Sequence, residues 1–472
     1  MRKTKIICTI GPACENVGTL KEMMKVGMNV ARFNFSHGTH EEQQRKLELV
    51  KQARKELDTT VATMLDTKGP EIRLIDIEGG SATLKEGNEL ILTTEEVMGS
   101  EKRVSITYKN LVKDLKPGDT VLIDDGLIEL CVEKIEGTEI YCKVVNGGPI
   151  SNHKGVNVPG VHLTMPYVSK VDLDDVIFGC KLGFDFLAAS FVRCKEDILE
   201  LRKILEEHGS HMQIIAKIEN MEGIRNLDEI IEVSDGIMVA RGDMGVEIPF
   251  SEVPILQKRM IKKAVMAGKH VITATQMLES MIHNPRPTRA EATDVANAIY
   301  DGTTGIMLSG ESAAGQYPVE AVRTMAELAE RTERDIDYKS RMRRYEDECS
   351  NCDDITQSLS RAVCSIAMEI GAAAIMPVTL SGSTARQVSR YKPDCEIIGC
   401  AVKARVCRQM NLYWGVTPLE IAEAENTDEL FEIAVETALK KGYIKKGDKV
   451  VITAGIPLGV SGKTNMIKVI EA

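Results

Sequence analysis

Eight short apolar runs of strand length recur along the first two thirds of the chain, and segments with helical periodicity separate them. The runs occupy residues 5–10, 29–35, 61–65, 184–189, 213–218, 236–240, 270–274 and 305–308. Parallel strands need a crossover, usually a helix, to return the chain to the same edge of a sheet. Eight repeats of strand and helix therefore predict an α/β fold, the (β/α)8 TIM barrel.

Helix-start signals support this interpretation of the segments between the runs. Thr39 and Glu42 precede a periodic run at 43–57, and Thr288 and Glu291 precede one at 292–300. A threonine followed three residues later by a glutamate is typical of a capping box, in which the two residues exchange side-chain and backbone hydrogen bonds. The sequence predicts a helix after each pair.

One segment departs from the alternation of strands and helices. Residues 70–166 show period-two alternation, interrupted by turn signals such as Gly79-Gly80 and Gly147-Gly148. This pattern predicts a small β-barrel domain inserted after the third strand. Because that insertion point lies on the face where barrel enzymes carry their active sites, we expect a lid over a catalytic barrel formed by 1–69 and 167–338.

A third unit is predicted from residue 339 to residue 472. Strand-like runs at 373–379, 396–401, 449–454 and 465–470 alternate there with helical segments. This alternation predicts a separate C-terminal α/β domain.

Composition and charge argue against several classes of protein. The chain has 472 residues, with 59 lysines and arginines against 70 aspartates and glutamates, and a net charge of −11. This balance argues against nucleic acid or an anionic membrane as the main partner. No run approaches the roughly 18 apolar residues of a membrane helix. The twelve cysteines are scattered, and only Cys349 and Cys352 have CxxC spacing. Reduced thiols in the cytoplasm fit better than a disulfide scaffold or a zinc site.

Three charged residues lie at or just after the ends of two neighbouring strand-like runs. Lys217 and Glu219 lie at the end of one run, and Asp243 follows the next. Mg²⁺ takes few protein oxygens and leaves positions for substrate, so one glutamate and one aspartate from adjacent strand ends suit it. Lys217 shares a face with Glu219 by strand alternation, which indicates an anionic substrate such as a phosphate or an enolate. Taken alone, the three residues would fit a buried ion pair plus a surface carboxylate equally well.

Polar residues follow most of the other strands as well. A packed core does not need so many charges at one end of a barrel, and barrel enzymes collect their reactive groups there, so we predict an active site. For single members a structural role stays open, such as helix capping by His37 or a loop hydrogen bond from Gln276. At or just after the ends of strands two and three lie Arg32, Asn34, Ser36, His37, Asp66, Thr67, Lys68 and Arg73. After strands six, seven and eight lie Arg241, Thr275, Gln276, Ser309 and Glu311.

Four of these residues suit a monovalent cation. Asn34, Ser36, Asp66 and Thr67 offer oxygen atoms with one formal charge among them, which is weak for Mg²⁺. A turn at 242–243 is predicted to present backbone N–H groups to a substrate carboxylate.

Two further segments resemble phosphate-binding loops. Residues 457–464 end like a P-loop, but Pro457 replaces its first glycine and a strand is predicted to follow, which argues against a nucleotide loop. The other segment follows a strand and precedes a helix, as an anion pocket or a simple helix cap would. Its candidate ligands for an effector phosphate are Thr379, Ser381, Ser383 and Thr384.

Over essentially its whole length the chain resembles the pyruvate kinases of bacteria. The resemblance is carried by residues 5–12 (KIICTIGP), 29–38 (NVARFNFSHG), 65–73 (LDTKGPEIR), 216–220 (AKIEN), 240–243 (ARGD), 273–278 (TATQML) and 307–311 (MLSGE). It implies transfer of the phosphoryl group of phosphoenolpyruvate to ADP, a glycolytic step that yields pyruvate and ATP. It also implies a homotetramer and a phosphorylated allosteric effector.

The resemblance implies roles for the predicted site. Glu219 and Asp243 would hold Mg²⁺, with Mn²⁺ as an alternative, and a second Mg²⁺ would arrive with the nucleotide. Lys217 would stabilise the moving phosphoryl group and the enolate, with Arg32 and Arg73 on the phosphates.

The remaining roles follow from the same resemblance. The K⁺ site matches Asn34, Ser36, Asp66 and Thr67. Glu71 matches the members that require K⁺, since the others carry lysine there. Thr275 and Ser309 match residues that deliver a proton to enolpyruvate through water. Substrate binding would further involve Gly242, Asp243 and Thr275; nucleotide binding Asn34, His37, Arg73 and Lys154; and effector binding the loop Thr379, Ser381, Ser383 and Thr384.

Two departures from the family pattern concern the lid. His153-Lys154 stands where many relatives have two lysines, and residues 169–172 (SKVD) stand where Ser/Ala-Glu-Lys-Asp is common. These departures put lid closure in question and leave the chemistry intact. Because the chain ends at Ala472, the additional C-terminal domain of some bacterial relatives is not expected.

Two other functions stay open from the sequence. A Mg²⁺-dependent lyase or aldolase acting on an enolpyruvate would also need a metal and a cation, and dependence on ADP would decide against it. A non-catalytic sugar-phosphate sensor would have lost Lys217 or the two carboxylates, which this chain keeps.

Overall fold

The computed structural model describes residues 2–348, 354–456 and 464–472. Eight parallel strands close a barrel, and each strand pairs with its neighbours in chain order until the last returns to the first. The prediction of a (β/α)8 barrel is confirmed, and each strand lies within two residues of its predicted bounds. The strands are Lys5–Thr9, Val30–Asn34, Ala62–Asp66, Phe186–Ala189, Gln213–Ile218, Gly236–Ala240, His270–Ala274 and Gly305–Leu308.

Eight helices follow the eight strands. Thr39 and Thr288 both form the predicted capping boxes, and each helix begins directly after its cap, three residues before the predicted run. The difference arises because the apolar periodicity starts only in the second turn. The helices are Val17–Val26, His40–Glu56, Lys170–Leu182, Lys195–Glu207, Leu227–Val233, Val253–Met266, Arg289–Asp301 and Pro318–Glu333; short rim helices are Met221–Arg225, Arg241–Glu247 and Gly310–Ala313, and 3-10 turns are Pro12–Cys14, Glu78–Gly80 and Glu279–Ile282.

Alternating side chains divide the barrel into an interior and an outer layer. The interior cluster contains Ile7, Met64, Phe186 and Met238, all of them buried. The opposite faces of the strands pack against the helices in a larger buried cluster. A strand buried on both faces reads as a continuous apolar run, which is why the barrel strands could be found in the sequence.

The segment inserted after strand three is all β apart from the helix Leu111–Asp114 and the 3-10 turn at its start. Asp172 Oδ1 accepts the N–H of Gly69 at 3.0 Å, close to the point where the chain leaves the barrel. The segment forms its own buried apolar cluster. Its seven-stranded sheet has the order Ile72–Arg73, Gly155–Asn157, Thr120–Ile123, Ile128–Glu136, Glu139–Asn146, Glu89–Thr93 and Arg103–Ser105, and a second sheet pairs Ser81–Leu84 with Gly148–Ser151.

The C-terminal region contains the predicted α/β layers. Four of its strands were predicted, and the fifth, Val416–Glu420, was missed because Pro418 interrupts the apolar pattern. Proline is tolerated there because this is an edge strand. The sheet order is Val416–Glu420, Glu396–Ala401, Ala374–Pro377, Lys449–Ala454 and Met466–Glu471, and the helices are Tyr338–Glu348, Ile355–Glu369, Ser383–Arg390, Ala404–Met410 and Thr427–Lys440.

Some predictions stay untested by the fold. The boundaries at 69/70, 166/167 and 338/339 remain predictions. Cys349 and Cys352 lie outside the described residues, as do residues 457–463 of the P-loop-like segment. Among the helices of the described residues, none has the length and apolarity that crossing a membrane requires.

Candidate active site

The carboxyl ends of strands two to five bring four charged residues into one buried cluster. Arg32, Asp66, Lys217 and Glu219 come from three of these strands, and each is less than a tenth exposed. The strands are adjacent in the barrel, so residues far apart in the sequence meet at one edge. Burial of four charges is costly unless they pair with one another.

Lys217 lies at the centre of this cluster. Its Nζ donates to Ser190 Oγ at 2.7 Å and to Asp66 Oδ1 at 3.1 Å, and it lies 3.0 Å from Glu219 Oε1. Burial would lower the pKa of Lys217, but the carboxylates of Asp66 and Glu219 outweigh burial and raise it above its ordinary value. The side chain is therefore held as an ammonium ion.

Asp66 is the main counter-charge of the cluster. Its Oδ2 accepts from Arg32 Nε at 2.6 Å, and the same guanidinium donates to Thr9 Oγ1 at 2.9 Å. Burial alone would raise the pKa of Asp66, but Arg32 and Lys217 hold it below its usual value. Asp66 thus positions two cations at once.

Glu219 has one satisfied oxygen and one that is free to take a ligand. Its Oε2 accepts the N–H of Phe191 at 2.6 Å. Its Oε1 is buried and lies 3.0 Å from Lys217 Nζ, but it accepts no hydrogen bond within the described residues. Burial, with a smaller contribution from Asp243, raises the pKa of Glu219 to about 8 against the opposing effect of Lys217. A cation bound at Oε1 would favour the carboxylate form.

The ends of strands six and seven contribute a second set of hydrogen-bonded residues. Thr275 has a left-handed backbone with φ of 69°, and its Oγ1 donates to Ala274 O at 2.6 Å. The same hydroxyl accepts the N–H of Gly242 at 2.8 Å. Residues 242–243 belong to the first turn of the helix Arg241–Glu247 rather than to an isolated turn. The Gly242 N–H is therefore already bonded, and its role towards a substrate stays a prediction.

Arg241 fixes the strained backbone at the end of strand seven. Its guanidinium donates to Ala274 O at 3.1 Å and to Thr275 O at 2.5 Å. Two further contacts of 2.8 and 2.6 Å pair it with the carboxylate of Asp294. A residue at positive φ is uncommon outside glycine and persists where its surroundings hold it in place.

A cleft of about 600 Å³ lies between the inserted domain and the barrel. Arg73, Lys154 and Asp243 are among its lining residues. Glu71 accepts from Arg73 at 2.8 and 2.7 Å, and Lys154 pairs with Asp124 at 2.8 Å. Since Asp243 also acts electrostatically on Lys217 and Glu219, it joins the cleft to the buried cluster.

The residues predicted for K⁺ lie at the ends of strands two and three. Asn34 Oδ1 accepts the N–H of Ser36 at 3.1 Å, and Thr67 is buried with its Oγ1 accepting the N–H of Ser190 at 3.1 Å. Asp66 stands between these residues and the lysine. His37 is exposed, and the cap of the next helix is Thr39, so the alternative capping role of His37 is wrong.

Ser309 follows strand eight. Its N–H donates to Glu311 Oε2 at 2.7 Å, and Oε1 of the same carboxylate accepts the N–H of Leu278 at 3.0 Å. Burial raises the pKa of Glu311. Glu311 thus ties the rim of strand eight to the loop after strand seven.

Ser190 and Phe191 were missed by the sequence interpretation. Both follow strand four, whereas the predicted site residues lie at the ends of strands two, three and five to eight. Ser190 contacts Lys217 and Asp66, and Phe191 binds Glu219 through its backbone. The available signal was a serine placed directly after a buried strand.

The candidate effector loop lies in the C-terminal region. Thr379 Oγ1 accepts the N–H of Gly382 at 3.0 Å, and the Oγ1 atoms of Thr384 and Thr464 lie 2.9 Å apart. Gly382 has a φ of 87° and precedes the helix Ser383–Arg390. Ser381 is exposed and Ser383 is half-buried, so the loop offers hydroxyls on both its surface and its inner side.

Comparison with known proteins identifies the family of this chain. The family model for the pyruvate kinase barrel domain matches residues 1–322, and the model for the pyruvate kinase alpha/beta domain matches residues 357–470. The chain belongs to the pyruvate kinase family. It is 51% identical over 471 residues to a pyruvate kinase of Geobacillus stearothermophilus, an alignment that covers 99% of this chain and 80% of the relative.

Two further relatives extend the likeness. A pyruvate kinase of Clostridium acetobutylicum is 51% identical over 472 residues, with 99% of both chains covered. The crystal structure of a pyruvate kinase from Cryptosporidium parvum superimposes with a TM-score of 0.95 at 40% identity, covering 100% of this chain and 96% of that chain. As a pyruvate kinase, the protein transfers the phosphoryl group of phosphoenolpyruvate to ADP, and the predicted function is confirmed.

Proposed function

We propose that the pyruvate kinase reaction takes place where the buried cluster around Lys217 meets the cleft beside Asp243. The observation that carries this assignment is the pairing of buried Lys217 with the carboxylates of Asp66 and Glu219, at 3.1 and 3.0 Å, which favours the ammonium form. A fixed ammonium ion in a site shielded from water stabilises developing negative charge without having to reorient.

We assign Mg²⁺, with Mn²⁺ as an alternative, to Glu219 and Asp243. The unbonded buried oxygen of Glu219 supports this assignment. No group of three or more His, Cys, Asp or Glu side chains suited to a metal occurs among the described residues, so most ligands would come from substrate and water, as Mg²⁺ prefers. When bound, the ion would polarise the phosphoryl and carboxylate oxygens of phosphoenolpyruvate.

Lys217, Arg32 and Arg73 are proposed to act on the moving phosphoryl group. Lys217 donates to it and then to the enolate oxygen left behind, where negative charge develops. Arg32 is anchored by Asp66 and Thr9, and Arg73 by Glu71, which supports fixed positions for both guanidinium groups. Bidentate guanidinium groups suit phosphate oxygens.

Protonation of the enolate completes the reaction. We propose that the hydroxyls of Thr275 and Ser309 pass a proton through water to the methylene carbon of enolpyruvate, which becomes the methyl group of pyruvate. Thr275 Oγ1 is held by Gly242 and Ala274 at the end of strand seven, which supports a fixed hydroxyl. Gly242 and Asp243 would also bind the substrate.

The nucleotide is proposed to bind in the cleft beneath the inserted domain. Arg73 and Lys154 line this cleft. Asn34 is the last residue of strand two, and His37 follows that strand on the same face of the barrel. ADP is an anion, so lysine and arginine side chains along the cleft favour its entry.

We further propose a K⁺ ion at Asn34, Ser36, Asp66 and Thr67, with Glu71 as the residue that makes K⁺ necessary. All the donor atoms in this set are oxygen, with one formal charge, as a monovalent cation requires. The wider assignments are an effector phosphate at Thr379, Ser381, Ser383 and Thr384, a homotetramer, and a cytoplasmic location.

Pyruvate formation from phosphoenolpyruvate, with ADP, Mg²⁺ and K⁺ omitted in turn, tests these assignments. We expect activity only in the complete mixture. Activity without K⁺ would overturn the roles of Glu71 and the K⁺ set. Pyruvate formed without ADP would mean hydrolysis or lyase chemistry. A mixture with Mn²⁺ in place of Mg²⁺ is expected to retain activity.

A further inference from the structure

Ser190 lies between the two strand ends that carry the catalytic lysine and its counter-charge. It directly follows strand four, Phe186–Ala189, which pairs with strand three on one side and strand five on the other. The side chain is 1% exposed. Ser190 is therefore the connection between Asp66 and Lys217 on the side of strand four.

The hydrogen bonds of Ser190 have a defined direction. An ammonium group can only donate, so Ser190 Oγ accepts from Lys217 Nζ at 2.7 Å. The single hydroxyl proton then goes to Thr67 O at 2.7 Å or to Asp66 Oδ1 at 3.2 Å, and the shorter contact favours Thr67. The backbone N–H of Ser190 also donates to Thr67 Oγ1 at 3.1 Å. Ser190 thus ties the lysine to the main chain after strand three.

The ammonium group has three protons, and these contacts account for two of them. Ser190 Oγ takes one and Asp66 Oδ1 takes another. Glu219 Oε1 lies 3.0 Å away without the direction of a hydrogen bond. The third proton is therefore free to meet an incoming anion once the other two are fixed.

We propose that Ser190 is a positioning residue for Lys217, which it holds against the Asp66–Thr67 segment so that one N–H faces the phosphoryl group. This inference rests on the role proposed for Lys217. It also couples the lysine to the proposed K⁺ ligands Asp66 and Thr67, because one hydroxyl contacts all three residues. Loss of the hydroxyl should therefore affect turnover and the response to K⁺ together.

The test compares kcat, the KM for each substrate and the K⁺ activation constant for the wild type, Ser190→Ala and Ser190→Thr at saturating Mg²⁺. Loss of a hydrogen bond to a charged group predicts a fall in kcat of about 10- to 100-fold in Ser190→Ala. The KM for ADP should stay within about twofold, and the K⁺ constant should rise several-fold. Ser190→Thr keeps the hydroxyl and should recover most of kcat.

A matched control separates this role from the loss of any buried hydroxyl. Ser360 is fully buried and donates to Thr356 O at 2.7 Å, the distance of the Ser190–Thr67 bond, and it lies in the C-terminal region. Ser360→Ala should leave kcat and the K⁺ constant unchanged. If Ser190→Ala does not fold, Ser190→Cys replaces it, because sulfur keeps the shape but accepts weakly, and the same loss is expected.

The possible results distinguish a failure of the proposed function from a failure of the role of Ser190. A wild-type enzyme that makes no pyruvate from phosphoenolpyruvate and ADP would overturn the proposed function. An active wild type with Ser190→Ala or Ser190→Cys within about twofold of its kcat would overturn the role of Ser190 alone. Equal losses in Ser190→Ala and Ser190→Thr would also overturn it, because a packing defect would then be the cause.

Discussion

At the carboxyl end of the barrel, Lys217 and Arg32 are buried beside Asp66, whereas at the amino end Lys3, Lys5 and Lys392 are buried against backbone carbonyl groups. The carboxylates raise the pKa of Lys217 above its ordinary value. Burial without such partners in direct contact lowers the pKa values of all three lysines at the amino end.

The amino-end lysines connect the barrel to the C-terminal region. Lys3 Nζ donates to the carbonyls of Pro393, Asp394 and Cys395 at 3.1, 2.6 and 3.1 Å, and Lys5 Nζ to Val416 O at 2.7 Å. Lys392 donates in the opposite direction, to Gly302 O.

Aromatic rings add to the amino-end contacts. Lys3 and Lys392 lie over the ring of Trp414, at 5.3 and 5.0 Å from its centroid. Carbonyl dipoles and ring faces thus hold buried ammonium groups where two regions join. A carboxylate partner thus keeps a buried lysine charged for chemistry, whereas carbonyl partners serve packing and leave the charge of the lysine sensitive to pH.

Removal of the carboxylate-paired lysine should have the largest effect. Lys217→Met should lower kcat by about 1000-fold or more, because the charge aimed at the phosphoryl group is lost. Mg²⁺ binding, measured by calorimetry, should remain because Glu219 and Asp243 are kept. Substantial residual turnover would contradict the role of Lys217.

The unpaired lysines should instead determine how stability depends on pH. Burial lowers the pKa of Lys5 to about 7, with Arg2 and Lys3 lowering it and Glu333 and Glu396 raising it. Above that pH the unfolded chain holds more protons than the folded chain, so stability rises with pH. Relative to Lys5→Met, the wild type should gain about 2 kcal/mol between pH 7 and pH 9, because one proton of difference contributes about 1.4 kcal/mol per pH unit.

Urea unfolding at several pH values measures this difference. The exposed Lys85 provides the control, and Lys85→Met should follow the wild type across the whole range. Parallel pH curves for the wild type and Lys5→Met would show that Lys5 keeps an ordinary pKa in the folded protein.

Reversal of one charge at the edge of the cleft should have a smaller effect on the carboxyl end of the barrel. Glu71→Lys should reduce the ratio of activity with K⁺ to activity without it by about tenfold, since the new ammonium replaces the cation's charge. Glu71→Gln also removes the negative charge that pairs with Arg73 but adds no cation, so it should keep the K⁺ requirement. An unchanged ratio in Glu71→Lys would count against the assignment.

The smallest effect is expected for a hydrogen bond between two uncharged side chains at the amino end of the barrel. Gln213 Nε2 donates to Tyr413 Oη at 2.9 Å, a bond between strand five and the C-terminal region. Tyr413→Phe should cost about 1 kcal/mol of unfolding free energy. Its kcat should match that of the wild type, and a large fall in kcat would mean that the amino end affects catalysis directly.

The sequence was most informative where one physical signal dominated. The barrel strands are buried on both faces and therefore show as apolar runs. Both capping boxes were found because their partners are only three residues apart. Val416–Glu420 was missed because an edge strand can tolerate Pro418, which breaks the apolar pattern.

In the candidate site, residues at strand ends were predicted, but their hydrogen-bond partners were not. Arg32, Asp66, Lys217 and Glu219 were predicted from their positions at strand ends, and the barrel brings them into contact. Gly242 was predicted to offer its N–H to a substrate, yet in the fold it donates to Thr275. A hydrogen-bond partner depends on backbone geometry that the sequence pattern does not specify.

The order of strands and helices and the residue types at the strand ends follow from the amino-acid sequence alone, because periodicity and local capping act over a few residues. Which of these residues meet depends on the folded structure. Ser190 bonds Lys217 because barrel closure places strand four beside strand five, and Leu412 joins the barrel interior because the C-terminal region packs on the amino end. Contacts between distant segments depend on how the chain packs, which local sequence patterns do not specify.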